Sequence, residues 1–170
     1  MAALHIGGVA GERDGREEDD GPGRGGDREA LPPDLVRRFF ARLGPAELHN
    51  LYGPTEATVL ITARQLKPGD SNRTLGAPIA NSQVLILDDD LQPVPENTVG
   101  ELFIVGPGVC LGYLNNPQQT AERYLSLNLP DGQTLRAYRS GDMAKWSEHG
   151  IELCGRRDNQ VKIRGFRVEL

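Results

Sequence analysis

The sequence predicts a strand-rich α+β fold. Short apolar runs bounded by Gly and Pro recur along it, and only two stretches carry helical spacing. Its apolar share of 38% is enough for a core in a chain of 170 residues. In residues 1–28 the run starting GERDGREEDDGPGRGG mixes Gly with opposite charges and has no hydrophobic period, so this segment is expected to be disordered or unrelated to the rest of the chain. From Leu31 the texture changes. PPDLVRRFFARLG places Leu35, Phe39 and Leu43 four apart, behind two prolines and ahead of Gly44, which predicts a short amphipathic helix.

ELHNL predicts a brief strand that leads into a turn at YGPTE. SQVLILD is a strand stopped by Asp88-Asp89-Asp90, and ELFIV is a strand that comes after a turn at Gly100. Pro117 stands at a helix-start position in NPQQTAERYL, giving the second helix. The tail alternates short strands and turns: RAYR, then AKWSEHGIELCG with His149 in its turn, then QVKIRGFRVEL, where Val161 and Ile163 oppose Lys162 and Arg164. No internal repeat is visible.

The formal charge of −5 is uneven. The first 30 residues hold four Arg against eight Asp and Glu, a net of −4, which leaves −1 for the other 140. That balance offers no basic footprint for nucleic acid and no polybasic anchor for a membrane, so small-molecule chemistry is expected. No apolar run approaches the ~18 residues of a spanning helix. The start, MAALHIGGVAGERD, lacks the basic and apolar regions of a secretory signal, and a cytoplasmic chain is expected. Cys110 and Cys154 lie far apart among apolar neighbours, which suggests buried free thiols rather than a disulfide.

The most informative stretch is Asn50-Leu51-Tyr52-Gly53-Pro54-Thr55-Glu56. It puts an aromatic face, a hydroxyl and a carboxylate on one tight turn: a ring stacks on a base, a hydroxyl bonds a phosphate oxygen, and a carboxylate suits Mg2+. By itself the pentapeptide YGPTE also reads as ordinary loop chemistry. Asp142 alone reads equally as a turn cap after Gly141, and Arg156 alone as a solvated arginine. The glycines of GPGVCLGYL do not open a helix and read as structural turns rather than a phosphate cradle. His5, His49 and His149 have no partners at catalytic spacing.

Order and spacing change that weighing. YGPTE, GELFIVGPGVCLGYLNNPQQTAERY, YRSGDMAKW and GRRDNQVKIRGFRVEL resemble, in sequence, four successive core motifs of the adenylation domains of nonribosomal peptide synthetases. These belong to the adenylate-forming superfamily that includes acyl-CoA synthetases and luciferases. EALPPDLVRRFFARL resembles the helix that precedes YGPTE there, so the likeness covers residues 29–170. QVKIRG favours the peptide-synthetase branch over an acyl-CoA ligase. A non-catalytic remnant or interaction module is the other alternative.

The resemblance implies the end of a large α/β region with a β-barrel-like subdomain over 29–157. Residues 158–170 would begin a small C-terminal subdomain, with Asp158 as its hinge. It implies that ATP and Mg2+ activate an amino acid as its adenylate, and that the acyl group passes to phosphopantetheine on a peptidyl carrier domain. Tyr52 would lie against adenine, Thr55 would meet the α-phosphate, and Glu56 would hold Mg2+. Thr55 and Glu56 thus become the catalytic candidates. Asp142 would take both ribose hydroxyls and Arg156 the ribose and phosphate region. Leu51, Val59 and Leu60 would line the amino-acid pocket. Ser140 stands where Thr is commoner, and Leu153 where an aromatic is usual. The family's phosphate loop, its substrate-anchoring aspartate and its downstream lysine are not among these residues. The chain alone is therefore expected to be inactive, with apolar surface exposed at Phe39, Phe40, Val59, Leu60 and Ile61.

Overall fold

The computed structural model describes residues 3–6, 33–43, 46–71, 73–128, 132–158, 160–163 and 166–169, with backbone alone for 3–6, 33, 160–163 and 166–169. Strand β1 (Ala3–Ile6) pairs in parallel with β2 (Glu47–Tyr52), Ala3 opposite Glu47 and Ile6 opposite Asn50. A parallel pair needs a crossover connection, and α1 (Pro33–Leu43) lies between the two strands in sequence. Within the segment expected to be disordered, residues 3–6 therefore form an edge strand, because ALHI is an apolar run in an otherwise charged stretch. The rest of residues 1–28 lies outside the described residues.

Helix α1 buries Val36 and Phe39 against Leu48 of β2 and Leu66 of β3 (Thr62–Leu66), with Phe40 packed on the margin. This corrects the expected exposure of Phe39, which is only 5% exposed because the helix covers one face of the β2–β3 pair. Ile61 is likewise buried in the main core, whereas Val59 is 69% exposed. Strands β3 and β4 (Thr74–Pro78) carry no strand signal in the sequence, because TARQL is mostly polar and TLGAP contains both Gly and Pro.

The sheet continues through β5 (Gln83–Leu87), β6 (Gly100–Val105), β7 (Tyr124–Asn128), β8 (Thr134–Ser147) and β9 (Gly150–Arg156) in the order β1-β2-β3-β4-β9-β8-β6-β5. β6 lines one edge of β8, while β7 and then β9 share the other. Every residue of β6 is buried. Leu102 and Ile104 point to the larger core, with Val84, Ile86, Tyr138 and Ile151, and Phe103 and Val105 point to a second cluster with Leu127 and Ala137. Helix α2 (Pro117–Arg123) connects β6 to β7, its Gln119 amide capped by the Asn116 side chain.

RAYR and AKW, expected as separate strands, belong to one continuous β8 of 14 residues. It stays continuous because Ser140-Gly141-Asp142 is absorbed as a bulge, with Arg139 opposite Phe103 and Met143 opposite Glu101. A second register shift lies on β9, where Gly155 and Leu153 pair but Cys154 is the extra residue. Cys154 is consequently exposed rather than buried, and Cys110 is half-buried; both are free thiols. Beyond Asp158, β10 (Gln160–Ile163) and β11 (Phe166–Glu169) form a separate antiparallel pair with Val161 opposite Val168.

Candidate functional site

Tyr52 ends β2, and the chain then folds back on itself. Gly53 permits this: a Cβ there would sit 2.5 Å from the Val59 carbonyl oxygen and 2.9 Å from the Ile61 nitrogen. Thr55–Ala57 makes one 3-10 turn, in which the amides of Ala57 and Val59 donate to the Pro54 carbonyl. Thr58 and Val59 come next with φ of 60° and 71°, and Ile61 returns to the Tyr52 carbonyl at 2.8 Å. The tightness of the loop sorts its side chains. Thr55 faces solvent, Glu56 turns inward to 8% exposure, and Leu51 and Leu60 are half-buried on its flanks.

The loop after β6 clasps this turn. Thr58 Oγ1 donates to the Gly108 carbonyl at 2.6 Å, and the Cys110 amide to the Glu56 carbonyl at 2.9 Å. The glycines of GPG thus shape a loop between β6 and α2. Its continuation brings Tyr113, whose hydroxyl donates to Glu56 Oε1 at 2.7 Å. Burial, and after it the hydrogen bond to Glu56, holds the Tyr113 hydroxyl well above the usual tyrosine range. A cavity of about 420 Å3 opens beside Tyr113, between α2 and Arg136, and not over Asp142.

The bulge in β8 aims Asp142. Gly141 adopts φ of 78°, and Ser140 pins the bulge by donating from Oγ to the Leu102 carbonyl at 2.7 Å and accepting from the Asp142 amide at 3.0 Å. In register, Asp142 lies directly opposite Arg156 of β9. Arg156 Nη1 donates to Asp142 Oδ1 at 2.6 Å, and the Tyr52 hydroxyl donates to Asp142 Oδ2. Burial pushes the Asp142 carboxyl up, against the pull of Arg156. Burial, then the Asp142 charge, also raises the Tyr52 hydroxyl.

Arg156 also grips Asp158, from Nε to Oδ1 at 2.7 Å and from Nη2 to Oδ2 at 3.0 Å. Arg123, at the end of α2, reaches the same Oδ2 at 3.1 Å. Burial works to raise the Asp158 carboxyl, but the hydrogen bonds from Arg156 and Arg123 together hold it below its usual value. Gly141 fits under this cluster because a Cβ there would lie 2.7 Å from Asp158 Oδ2.

Four of the sequence-predicted residues, Tyr52, Asp142, Arg156 and Asp158, therefore form one connected network. Glu56 is held separately by Tyr113, and Thr55, Val59, Leu51 and Leu60 surround the turn without joining either set. Tyr113 and Arg123 were missed as site residues. They lie 57 and 35 residues from their partners, so no local spacing points to the contacts.

A carboxylate has roughly four acceptor sites, and two donors already hold Asp142, which leaves capacity for the two hydroxyls of a ribose. Among the described residues no group of three or more His, Cys, Asp or Glu could hold a metal ion, and no helix is long and apolar enough to cross a membrane.

Residues 26–114 match the family described as AMP-binding enzyme. The chain is similar to phosphinothricin tripeptide synthetase PhsB of Streptomyces viridochromogenes, 49% identical over 84% of this chain and 12% of that protein. It is also similar to surfactin synthase subunit 3 of Bacillus subtilis, 45% identical over 86% of this chain and 12% of that protein. The chain thus spans about an eighth of the length of these relatives. The structure of PA1221, described as an NRPS protein containing adenylation and PCP domains, superposes with a TM-score of 0.76 and 34% identity over 83% of this chain and 29% of that one. On the family match, the sequence identity and the shared fold, the chain belongs to the AMP-binding enzyme family, as a partial-length relative of the adenylation modules of nonribosomal peptide synthetases.

Proposed function

We propose that this chain carries the nucleotide-holding surface of an ATP-dependent amino-acid-adenylating ligase. The observation that supports this most is the meeting of Tyr52, Asp142 and Arg156, which come from β2, β8 and β9. Asp142 accepts the ribose hydroxyls and is kept in place by its two existing donors. The Tyr52 ring offers a face to adenine while its hydroxyl stays tied to Asp142. Arg156, whose donors hold Asp142, Asp158 and the Ser140 carbonyl, brings its positive charge to the ribose and phosphate region. Thr55, exposed on the turn, offers its hydroxyl to the α-phosphate.

Glu56 fits magnesium as a hard oxygen donor. Mg2+ is commonly bound by one or two carboxylates together with substrate phosphates and water, so one inward carboxylate, with an oxygen held by Tyr113, matches that donor set. The ion, when bound, would neutralise charge on the phosphate under attack. In the parent reaction an amino-acid carboxylate displaces pyrophosphate from ATP to give the aminoacyl-adenylate. The acyl group then passes to the phosphopantetheine thiol of a carrier domain. Leu51, Val59 and Leu60 contribute an apolar part of the amino-acid pocket. Asp158 is the hinge that follows the large subdomain, and the β10–β11 pair belongs to the small one that turns about it.

Calorimetric titration of the chain with AMP tests the central claim. Asp142→Asn removes the charge from both ribose hydrogen bonds and is expected to weaken AMP by ~10-fold or more, a loss of about 1.4 kcal/mol. Equal AMP affinity in the two proteins would refute the ribose assignment.

A further inference from the structure

Resting on the reading of Glu56 as the metal-facing carboxylate, we propose that Tyr113 is a positioning residue, whose hydroxyl sets the orientation of Glu56 toward a nucleotide-bound divalent cation. The Glu56–Tyr113 bond joins two loops, with the hydroxyl 2.7 Å from Glu56 Oε1. Glu56 sits on a one-turn 3-10 element, where neighbouring backbone alone does not fix the plane of a carboxylate. A donor on one of its oxygens does.

Tyr113 is itself fixed at three points. Its amide donates to Thr120 Oγ1 at 2.9 Å, and its carbonyl accepts from the Asn116 amide at 3.3 Å. Its ring packs edge-on against Tyr124, with centroids 5.6 Å apart. Tyr124 is clamped in turn between Tyr138, at 5.2 Å, and the Arg136 guanidinium, at 4.6 Å. Arg136 also donates to the Cys110 and Leu111 carbonyls, at 2.6 and 2.7 Å, and so ties these stacked tyrosines to the loop that clasps the Glu56 turn. The hydroxyl is therefore presented from an aromatic stack on one loop to an acid on a separate turn.

Tyr113→Phe keeps the ring and its packing and removes only the donor. The test uses the whole chain and two probes. Water-proton relaxation enhancement by Mn2+·ATP reads metal–nucleotide binding, and calorimetry with AMP in chelator reads nucleotide binding without metal. Partners that orient a metal-facing group typically change metal affinity by 10- to 100-fold, so Tyr113→Phe is expected to weaken Mn2+·ATP by ~10-fold while leaving AMP unchanged. Glu56→Gln should do the same. If Glu56→Gln weakens Mn2+·ATP and Tyr113→Phe does not, the positioning role is wrong and the metal reading stands. If Tyr113→Phe weakens both probes equally, its role is packing and the proposal fails. If neither variant changes the enhancement, or the wild-type chain adds none to that of Mn2+·ATP in buffer, the metal reading falls and takes the proposal with it.

Discussion

Val59 carries a φ of 71° on a β-branched side chain, and Thr58 before it has a φ of 60°. Left-handed backbone costs such a residue roughly 1–2 kcal/mol. The side chain is 69% exposed, so little burial offsets this. The strained pair comes after the Glu56 turn at a position proposed to line the amino-acid pocket, where a fixed backbone is useful to recognition. Asn tolerates this region better, and Val59→Asn is expected to raise the unfolding free energy by about 1 kcal/mol in urea titration. An unchanged or lowered value would mean that Val59 packs more usefully than its exposure indicates. Asp158 supplies the complementary residue-scale prediction. Its carboxyl titrates below its usual value when folded, so the stability it contributes is present above about pH 4 and is lost as pH falls through the folded value. Arg123→Ala removes one of its two arginines. The stability gap between wild type and variant should be under ~1 kcal/mol near neutrality and should close as pH falls below the usual carboxylate range and through the folded value. A gap that stays constant with pH would place the effect elsewhere than at Asp158.

At the scale of elements, β6 and β8 are held by more than their ladder. Glu101, only 2% exposed, accepts two bonds from Arg139 at 2.9 and 2.8 Å, and Arg157 approaches at 3.2 Å from just beyond β9. Removing one partner of a buried ion pair strands the other charge, typically at a cost of 3–5 kcal/mol. Arg157 remains in Arg139→Ala, so a loss near the lower end, about 3 kcal/mol, is expected in denaturant unfolding. A loss below about 1 kcal/mol would show that water reaches Glu101. Elements of this kind also decide what was legible beforehand. β2, β5, β6 and both helices announce themselves through apolar runs and the prolines at helix starts. β3 and β4 do not, since their residues are polar or turn-forming and are strands only because neighbours on either side demand pairing. Asp142 and Arg156 were readable as residues, yet SGD looked like a loop. Only a bulge inside a long strand explains how Asp142 faces Tyr52, and bulges leave no mark in hydrophobic periodicity. Tyr113 and Arg123 act through contacts made by the fold, which one-dimensional spacing does not carry.

At the scale of the molecule, the side chains proposed to face ribose and metal lie on one sheet and on the turn that leaves its strand β2. The chain spans about an eighth of the length of PhsB and of surfactin synthase subunit 3. Adenylation also needs charge opposed on the reacting phosphate, and losing a single preorganised donor commonly lowers the rate by ~10²–10³. The 170-residue chain is therefore expected to bind nucleotide yet show no amino-acid-dependent ATP–pyrophosphate exchange across the proteinogenic amino acids. Exchange that disappears in Asp142→Ala would sink this expectation and show a complete catalytic set within the chain.

Three consecutive residues at the end of the main sheet are bolted in different directions. Arg156 is tied to Asp142 on β8, Arg157 to Glu101 on β6 and to Asp89 in the turn after β5, and Asp158 to Arg123 on α2. In mechanical terms this is a bearing mount: if the β10–β11 pair turns about Asp158 as proposed, its torque is shared among these anchorages. The bolts differ in their sensitivity to dissolved salt. The Asp89 pair lies in water and is screened first, whereas Glu101 is walled in and is screened least. Rising ionic strength should therefore loosen the mount from its outer rim inward, well before the sheet behind it gives way.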